Sequence, residues 1–300
     1  MRRILLISAL IVFSYQLLAQ QPVWQPAPGT ITFNLWPHGA PGAPPNAAPE
    51  TNSASAKDNI GGRPIIRLGN VTNPSITLYG ANDNPSGQAV VVFPGGGYQI
   101  LAIDLEGTEV CDWLNRNHVT CVLLKYRVPN TGPYPKSSAA LQDAQRAVGM
   151  VRAHAAEWHI NPDRIGVLGF SAGGHLAAAL STHFDQRLYD AVDAADKLSC
   201  RPDFALIIYP GYLALAEQNM TFNPDLHVSP QATPTFLIQA EDDPVHVENS
   251  LLYYRALKDA GIPAEMHLYA KGGHGYGIRP TALPITHWED LAATWLQGLK

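Results

Sequence analysis

Ser171 lies in a sequence setting typical of an enzyme nucleophile. Residues 169–173 (GFSAG) fit the pattern G-x-S-x-G, in which small flanking residues allow a sharp, strained turn around the serine. The apolar residues 165–168 predict a strand before this turn, and the small residues 172–182 predict a helix after it. A serine presented on such a strand–turn–helix junction can attack an acyl carbon, provided that a base activates it.

A base for this serine is offered by His274. It lies in the glycine-rich segment 272–276 (GGHGY), after a predicted strand at 264–269 and before a predicted final helix at 287–297. Its imidazole would take the serine proton and return it to the leaving group. His246 is the main rival, but it lies very close in sequence to the candidate acids.

An acid that orients the imidazole is expected just past another strand. The apolar residues 235–240 predict that strand, and Glu241, Asp242 and Asp243 follow it directly. The residues alone leave all three candidates open, and at least one of them should be an ordinary solvated side chain.

Backbone N–H groups for a developing oxyanion are expected in residues 95–98 (GGGY), which follow the predicted strand 89–93. Glycine lets a backbone approach a substrate closely. Gly96 is the first choice for one donor and Gly97 the alternative, and the N–H of Ala172 would be the other donor. No phosphate-binding motif follows this loop, and no H-E-x-x-H motif is present, so neither a metal nor a cofactor is expected.

Strands and helices alternate from residue 75 onward, which predicts an α/β fold with a mainly parallel central sheet flanked by helices. We assign residues 75–300 to one catalytic domain. Residues 20–74 should form an extended N-terminal arm, because 20–60 are rich in Pro, Ala, Gly and Asn and do not resemble a packed element. Cys111, Cys121 and Cys200 are interpreted as buried apolar residues, with a disulfide between the first two left open.

The first 19 residues predict a cleaved signal peptide, with Arg2 and Arg3 preceding a short apolar segment. The mature protein is therefore expected to be secreted or periplasmic, without stable membrane association. The net charge is −5 and charged residues make up only 15% of the chain, so no basic patch is available and nucleic acid is not an expected partner.

Several motifs together resemble the bacterial esterase branch of the α/β hydrolases, in particular secreted acetylxylan-esterase-like carbohydrate esterases. They are residues 35–42 (LWPHGAPG), 94–98 (PGGGY), 124–127 (LKYR), 143–147 (DAQRA), 169–176 (GFSAGGHL) and 273–276 (GHGY). The resemblance implies an α/β-hydrolase fold and ester hydrolysis without a cofactor. It also implies that Asp243 is the acid, with Asp242 as runner-up, and that Arg127 and Asp143 are structural.

The resemblance further implies that the substrate is a small-molecule or polysaccharide ester carrying a short acyl group, principally acetyl on a carbohydrate. Tyr98 is predicted to contact it, with Trp24 and Trp36 as further aromatic faces for a sugar ring. A general short-chain carboxylesterase or feruloyl-type esterase is the main alternative. A prolyl-oligopeptidase-type peptidase would need several hundred more residues. A lipase would need a larger lid than residues 210–234 provide. An inactive binding module would be expected to have lost one of these motifs.

Overall fold

The computed structural model describes residues 23–53, 59–81, 84–130 and 132–299. Within these residues, eight strands form one central sheet, and we number them β1 to β8 in chain order. They are Ile31–Asn34, Ser75–Tyr79, Ala89–Phe93, Thr120–Lys125, Ile165–Phe170, Ala205–Ile208, Thr235–Ala240 and Ala264–Tyr269. The spatial order is β1-β2-β4-β3-β5-β6-β7-β8.

The six strands β4-β3-β5-β6-β7-β8 pair parallel to one another, and β2 runs antiparallel to both of its neighbours, β1 and β4. Every residue of β3, β5, β6 and β7 is buried. These strands are covered on both faces, which explains why they are almost continuously apolar in sequence. The predicted fold class is confirmed.

Helices connect the parallel strands, as crossover units require. The α-helices of the described residues, α1 to α5, are Glu109–Arg116, Ala139–Ala153, Ala172–Leu180, Glu248–Asp259 and Trp288–Gly298. A π-helical turn, Asp104–Thr108, leads directly into α1. The sequence spacing of apolar residues predicts a helix over 137–158, but α2 begins only at Ala139, and turns replace the helix after Ala153. No helix in the described part of the chain is long and apolar enough to cross a membrane.

The arm is more ordered than predicted, and its description as unpacked is wrong for residues 31–36. Ile31–Asn34 pairs with β2 as an edge strand, and Leu35 and Trp36 are buried against the domain. The Trp36 indole donates to Asp143, which also binds Arg127 in a buried ion pair. A four-residue strand is too short to show a clear periodicity, which is why the sequence did not reveal it. The predicted signal peptide, residues 1–19, lies outside the described residues.

The cysteines are all buried, and the disulfide that the sequence left open is formed. Cys111 in α1 and Cys121 in β4 form a disulfide, and Cys200 is free and buried. The Cα atoms of the pair are 5.1 Å apart because α1 packs back onto β4. That separation is the one a disulfide requires.

Candidate active site

Ser171 lies at the turn between β5 and α3, with φ 51° and ψ −116°. This is a strained conformation for a residue with a side chain. It is held because the Ser171 N–H donates to the Ile208 carbonyl across the sheet, at 3.0 Å. The flanking positions must be glycine: a Cβ on Gly169 would lie 2.0 Å from the Gly173 oxygen, and one on Gly173 would lie 2.1 Å from the Phe93 oxygen. The turn therefore needs the small residues that the motif supplies.

His274 and Asp243 meet Ser171 in one hydrogen-bonded chain, although they follow β8 and β7. The Ser171 Oγ is 2.8 Å from Nε2 of His274, and the His274 Nδ1 is 2.9 Å from Oδ2 of Asp243. An ionised carboxylate only accepts, so the proton belongs on Nδ1, which leaves Nε2 free to accept the serine proton. His246 is exposed and lies outside this chain of contacts.

The two candidate aspartates have different surroundings. Asp243 is buried, and its Oδ1 also accepts the N–H of Val245 at 2.7 Å. Asp242 is exposed, and its Oδ1 accepts the N–H groups of Gly272 and Gly273 at 2.9 and 2.8 Å. The hydrogen bond from Gly273, and to a smaller extent that from Gly272, lowers the pKa of Asp242. Asp242 therefore holds the loop before His274, whereas Asp243 contacts the imidazole itself.

The glycine loop after β3 presents N–H groups close to Ser171. The N–H of Gly95 donates to Glu106, so it is not free for a substrate. No described residue accepts a hydrogen bond from the N–H of Gly96 or Gly97, and both glycines have positive φ, 135° and 62°. Ala172 is the first residue of α3, where an N–H has no partner within the helix. The sequence named Ala172 and either Gly96 or Gly97 as the two donors for an oxyanion, and this role stays a prediction.

Comparison with known proteins decides the family. The sequence profile of a family described as alpha/beta hydrolase fold matches residues 90–231. A solved structure, the acetyl ester-xyloside bifunctional hydrolase from Caldicellulosiruptor lactoaceticus, is 37% identical to this chain. The match covers 76% of this chain and 89% of that one, with a TM-score of 0.67. The chain belongs to the α/β-hydrolase fold family.

Two curated relatives of this α/β hydrolase carry names from xylan chemistry. The acetylxylan esterase of Xylanibacter ruminicola is 32% identical over 65% of this chain and 42% of its own length. Endo-1,4-beta-xylanase B of Butyrivibrio fibrisolvens is 29% identical over 68% of this chain and 35% of its own length. The chain thus spans less than half the length of both.

Tyr98 does not provide the exposed aromatic face that the sequence predicted. Its side chain is 2% exposed, and its hydroxyl lies 2.8 Å from Nδ1 of His175 on α3. The ring is enclosed because the glycine loop after β3 (residues 95–98) folds it onto α3. Trp36 is also buried, and Trp24 is half-buried against the core.

Tyr212 is the exposed aromatic residue beside the site, and the sequence marked it only as part of the segment 210–234. Its ring is 38% exposed and packs 6.0 Å from the Tyr98 ring, centre to centre. Its hydroxyl lies 3.9 Å from where a Cβ on Gly97 would stand. The backbone there has φ 59° and is anchored by Asn223, which donates to the Tyr212 carbonyl. In the sequence, Tyr212 could have been noticed because it lies just after β6, and the C-terminal ends of parallel strands are where such sites form.

Glu106 and Tyr209 were also missed in the sequence. Both are buried, and the Tyr209 hydroxyl donates to Oε1 of Glu106 at 2.7 Å. From the sequence, a glutamate in a helical turn is expected to be exposed to solvent. The burial of Glu106 is visible only in the fold. In the described ranges, no group of three or more His, Cys, Asp or Glu side chains could hold a metal ion.

The burial of His175 predicts a pH-dependent stability. Burial, with a smaller contribution from His183, lowers the pKa of His175 to about 3. An unfolded histidine has a pKa of about 6.5. Between these values the unfolded chain binds a proton that the folded protein does not, so the free energy of unfolding should decrease as the pH falls. The slope from this residue is about 1.4 kcal/mol per pH unit.

Urea unfolding of the wild type and His175→Gln at pH 7, 6 and 5 measures this slope. The variant should lose less stability than the wild type on acidification, whereas His38→Gln, a change at an exposed residue, should behave as the wild type does. Equal slopes in the wild type and His175→Gln would contradict the prediction.

Proposed function

We propose that this α/β hydrolase is a serine esterase that removes short acyl groups, principally acetyl, from carbohydrates. The observation that carries the proposal is the hydrogen-bonded chain from Ser171 through His274 to Asp243. A serine, a histidine with a free Nε2 and a buried aspartate are the groups that acyl transfer through a covalent intermediate requires.

The proposed reaction has two steps. Ser171 Oγ attacks the ester carbonyl while Nε2 of His274 takes its proton, and the carbonyl electrons move to an oxyanion near Ala172 and Gly96 or Gly97. The carbon–oxygen bond to the alcohol then breaks, and the imidazolium protonates the leaving alcohol. Water attacks the acyl-enzyme with His274 as base again, which releases the acid and restores the serine.

Acetylated carbohydrate is favoured as the substrate by two observations. The relatives carry the names acetylxylan esterase and acetyl ester-xyloside bifunctional hydrolase, and they match this chain at 32% and 37% identity. Tyr212 offers a half-exposed aromatic face next to residues 95–98, the proposed oxyanion loop. Such a face suits the apolar side of a sugar ring. We also propose that the protein is exported through the signal in residues 1–19, which would bring it to polysaccharides outside the cytoplasm.

A panel of nitrophenyl esters with acetyl, butyryl and octanoyl groups tests the acyl preference, and acetate release from acetylated xylan tests the alcohol. We expect kcat/KM to be highest for the acetyl ester and lowest for the octanoyl ester, with acetate released from the xylan. A preference for octanoyl esters would indicate a lipase. Cleavage of nitrophenyl acetate without acetate from any acetylated sugar would indicate a general carboxylesterase.

Substitution of Tyr212 tests the carbohydrate contact separately. Tyr212→Ala should lower kcat/KM for acetylated xylo-oligosaccharides by about tenfold, which corresponds to about 1.4 kcal/mol. It should change kcat/KM for nitrophenyl acetate much less, and Tyr212→Phe, which keeps the ring, should retain most of the activity on sugars. Equal losses on both substrates would show that Tyr212 does not recognise the sugar.

A further inference from the structure

Glu106 is a buried carboxylate that the proposed reaction does not use. It lies in the π-helical turn before α1 and is only 4% exposed. Burying a carboxylate is costly unless hydrogen bonds compensate for the lost water. Both of its oxygens are engaged: one by the glycine loop after β3, and the other by Tyr209 after β6, which in turn contacts the loop of His274.

The first partner is the oxyanion loop. Oε2 of Glu106 accepts the N–H of Gly95 at 2.7 Å. The fit is close, since a Cβ on Gly95 would stand 2.6 Å from this oxygen and 3.0 Å from the Cβ of Ser171. The bond fixes the Pro94–Gly95 peptide, at the start of the loop that carries the N–H groups of Gly96 and Gly97.

The second partner leads to the His274 loop. Oε1 of Glu106 accepts the hydroxyl of Tyr209 at 2.7 Å, and the Tyr209 oxygen accepts the N–H of Gly277 at 2.9 Å. The Tyr209 ring packs edge-on against the imidazole of His274, with 4.9 Å between ring centres. Through Tyr209, one carboxylate therefore connects the glycine loop after β3 to the His274 ring and to Gly277 beyond it.

The hydrogen-bonding pattern is fully satisfied when Glu106 is ionised. The Gly95 N–H and the Tyr209 hydroxyl both donate to an ionised Glu106, whereas a proton on Oε1 would point at the Tyr209 oxygen and leave the Tyr209 hydroxyl without this acceptor. Burial raises the pKa of Glu106, and this rise is opposed by the bonds from Tyr209 and Gly95 and by the nearby His274 and Arg67. The other titratable groups near it are the hydroxyls of Tyr126 and Tyr276.

We propose that Glu106 is a positioning residue of the esterase reaction. Its carboxylate holds the oxyanion loop and the loop of His274, residues 270–277, in fixed relative positions. Its negative charge stabilises the imidazolium of His274 during each proton transfer. The inference rests on the proposed function, in which His274 is the base. The imidazolium would then be stabilised by two buried carboxylates. Asp243 contacts it directly, and Glu106 acts from behind the Tyr209 ring that packs on it.

The test compares Glu106→Gln, which removes the charge, with Glu106→Asp, which keeps the charge but shortens the reach. On nitrophenyl acetate, Glu106→Gln should lower kcat by about tenfold to a hundredfold, as small misplacements of reacting groups do, with KM little changed. The acid limb of kcat/KM against pH reports the base of the free enzyme. In Glu106→Gln this limb should move to lower pH, because a lost negative charge destabilises the imidazolium. In Glu106→Asp kcat should fall while the limb stays in place.

Two further variants keep the test decisive. Tyr209→Phe retains the ring against His274 but breaks the link to Gly277, so kcat should fall even if Glu106→Gln does not fold. Glu217→Gln removes an exposed carboxylate and should behave as the wild type does. Wild-type kcat in folded Glu106→Gln or in Tyr209→Phe, or lower kcat in Glu106→Gln without movement of the acid limb, would overturn the proposal. Ser171→Ala is measured in parallel, because activity that survives this change would contradict the proposed function itself.

Discussion

Ser171→Ala should lower kcat on nitrophenyl acetate by roughly a hundred-thousandfold to a millionfold, as loss of the nucleophile does in other serine hydrolases. Without Oγ no acyl-enzyme can form, and His274 loses the partner that lies 2.8 Å from its Nε2. The fold should be retained, because alanine keeps the N–H bond to Ile208 and adds no atom to the turn.

The measurement combines steady-state kinetics with covalent labelling by a fluorophosphonate. In the wild type the phosphorus–fluorine bond breaks, fluoride leaves and Ser171 Oγ becomes bonded to phosphorus, so the peptide containing residue 171 gains the corresponding mass. Ser171→Ala should remain unlabelled. Ser138→Ala, a change at the start of α2 where the serine makes no capping bond, should keep wild-type kcat and labelling. Wild-type turnover by folded Ser171→Ala would refute the assignment.

Asp243→Asn should lower kcat by roughly ten-thousandfold, the effect of the equivalent change in a characterised triad. The surroundings of Asp243 explain why asparagine cannot substitute for it. The N–H of Val245 lies 2.7 Å from Oδ1 and would bind the amide oxygen, which turns the amide nitrogen toward Nδ1 of His274. That nitrogen can only donate, so Nδ1 would lose its proton and Nε2 would carry one. His274 would then be unable to accept the proton of Ser171.

Asp242→Asn is the matched control, because the two aspartates are neighbours in sequence. Both of its loop contacts, from Gly272 and Gly273, are made by Oδ1, and a single amide oxygen can accept them. We therefore expect kcat to change by less than about tenfold, since each neutral bond that is kept retains most of its contribution. Kinetics of both variants across pH 5 to 9 check the ranking. A larger loss in Asp242→Asn would transfer the role to Asp242.

Features that depend on a local pattern could be predicted from the amino-acid sequence. The apolar run of β5, the small residues of the turn and the helix after it could be recognised in one short segment, because chain geometry at a strand–turn–helix junction restricts which residues fit. Continuous apolar strands alternating with helices likewise predicted a mainly parallel sheet. The motifs around Ser171 and His274 also supported the family resemblance that the comparisons confirm.

The burial of side chains and the contacts between distant ones became visible in the folded structure alone. Tyr98 is enclosed against His175, whereas Tyr212 is exposed beside the same loop. Cys111 and Cys121 became a disulfide because α1 folds back onto β4. Glu106 and Tyr209 are 103 residues apart in sequence and still share a hydrogen bond. Burial and pairing of this kind arise from contacts between distant segments, and a local pattern holds no information about the partner that the fold will bring to a side chain.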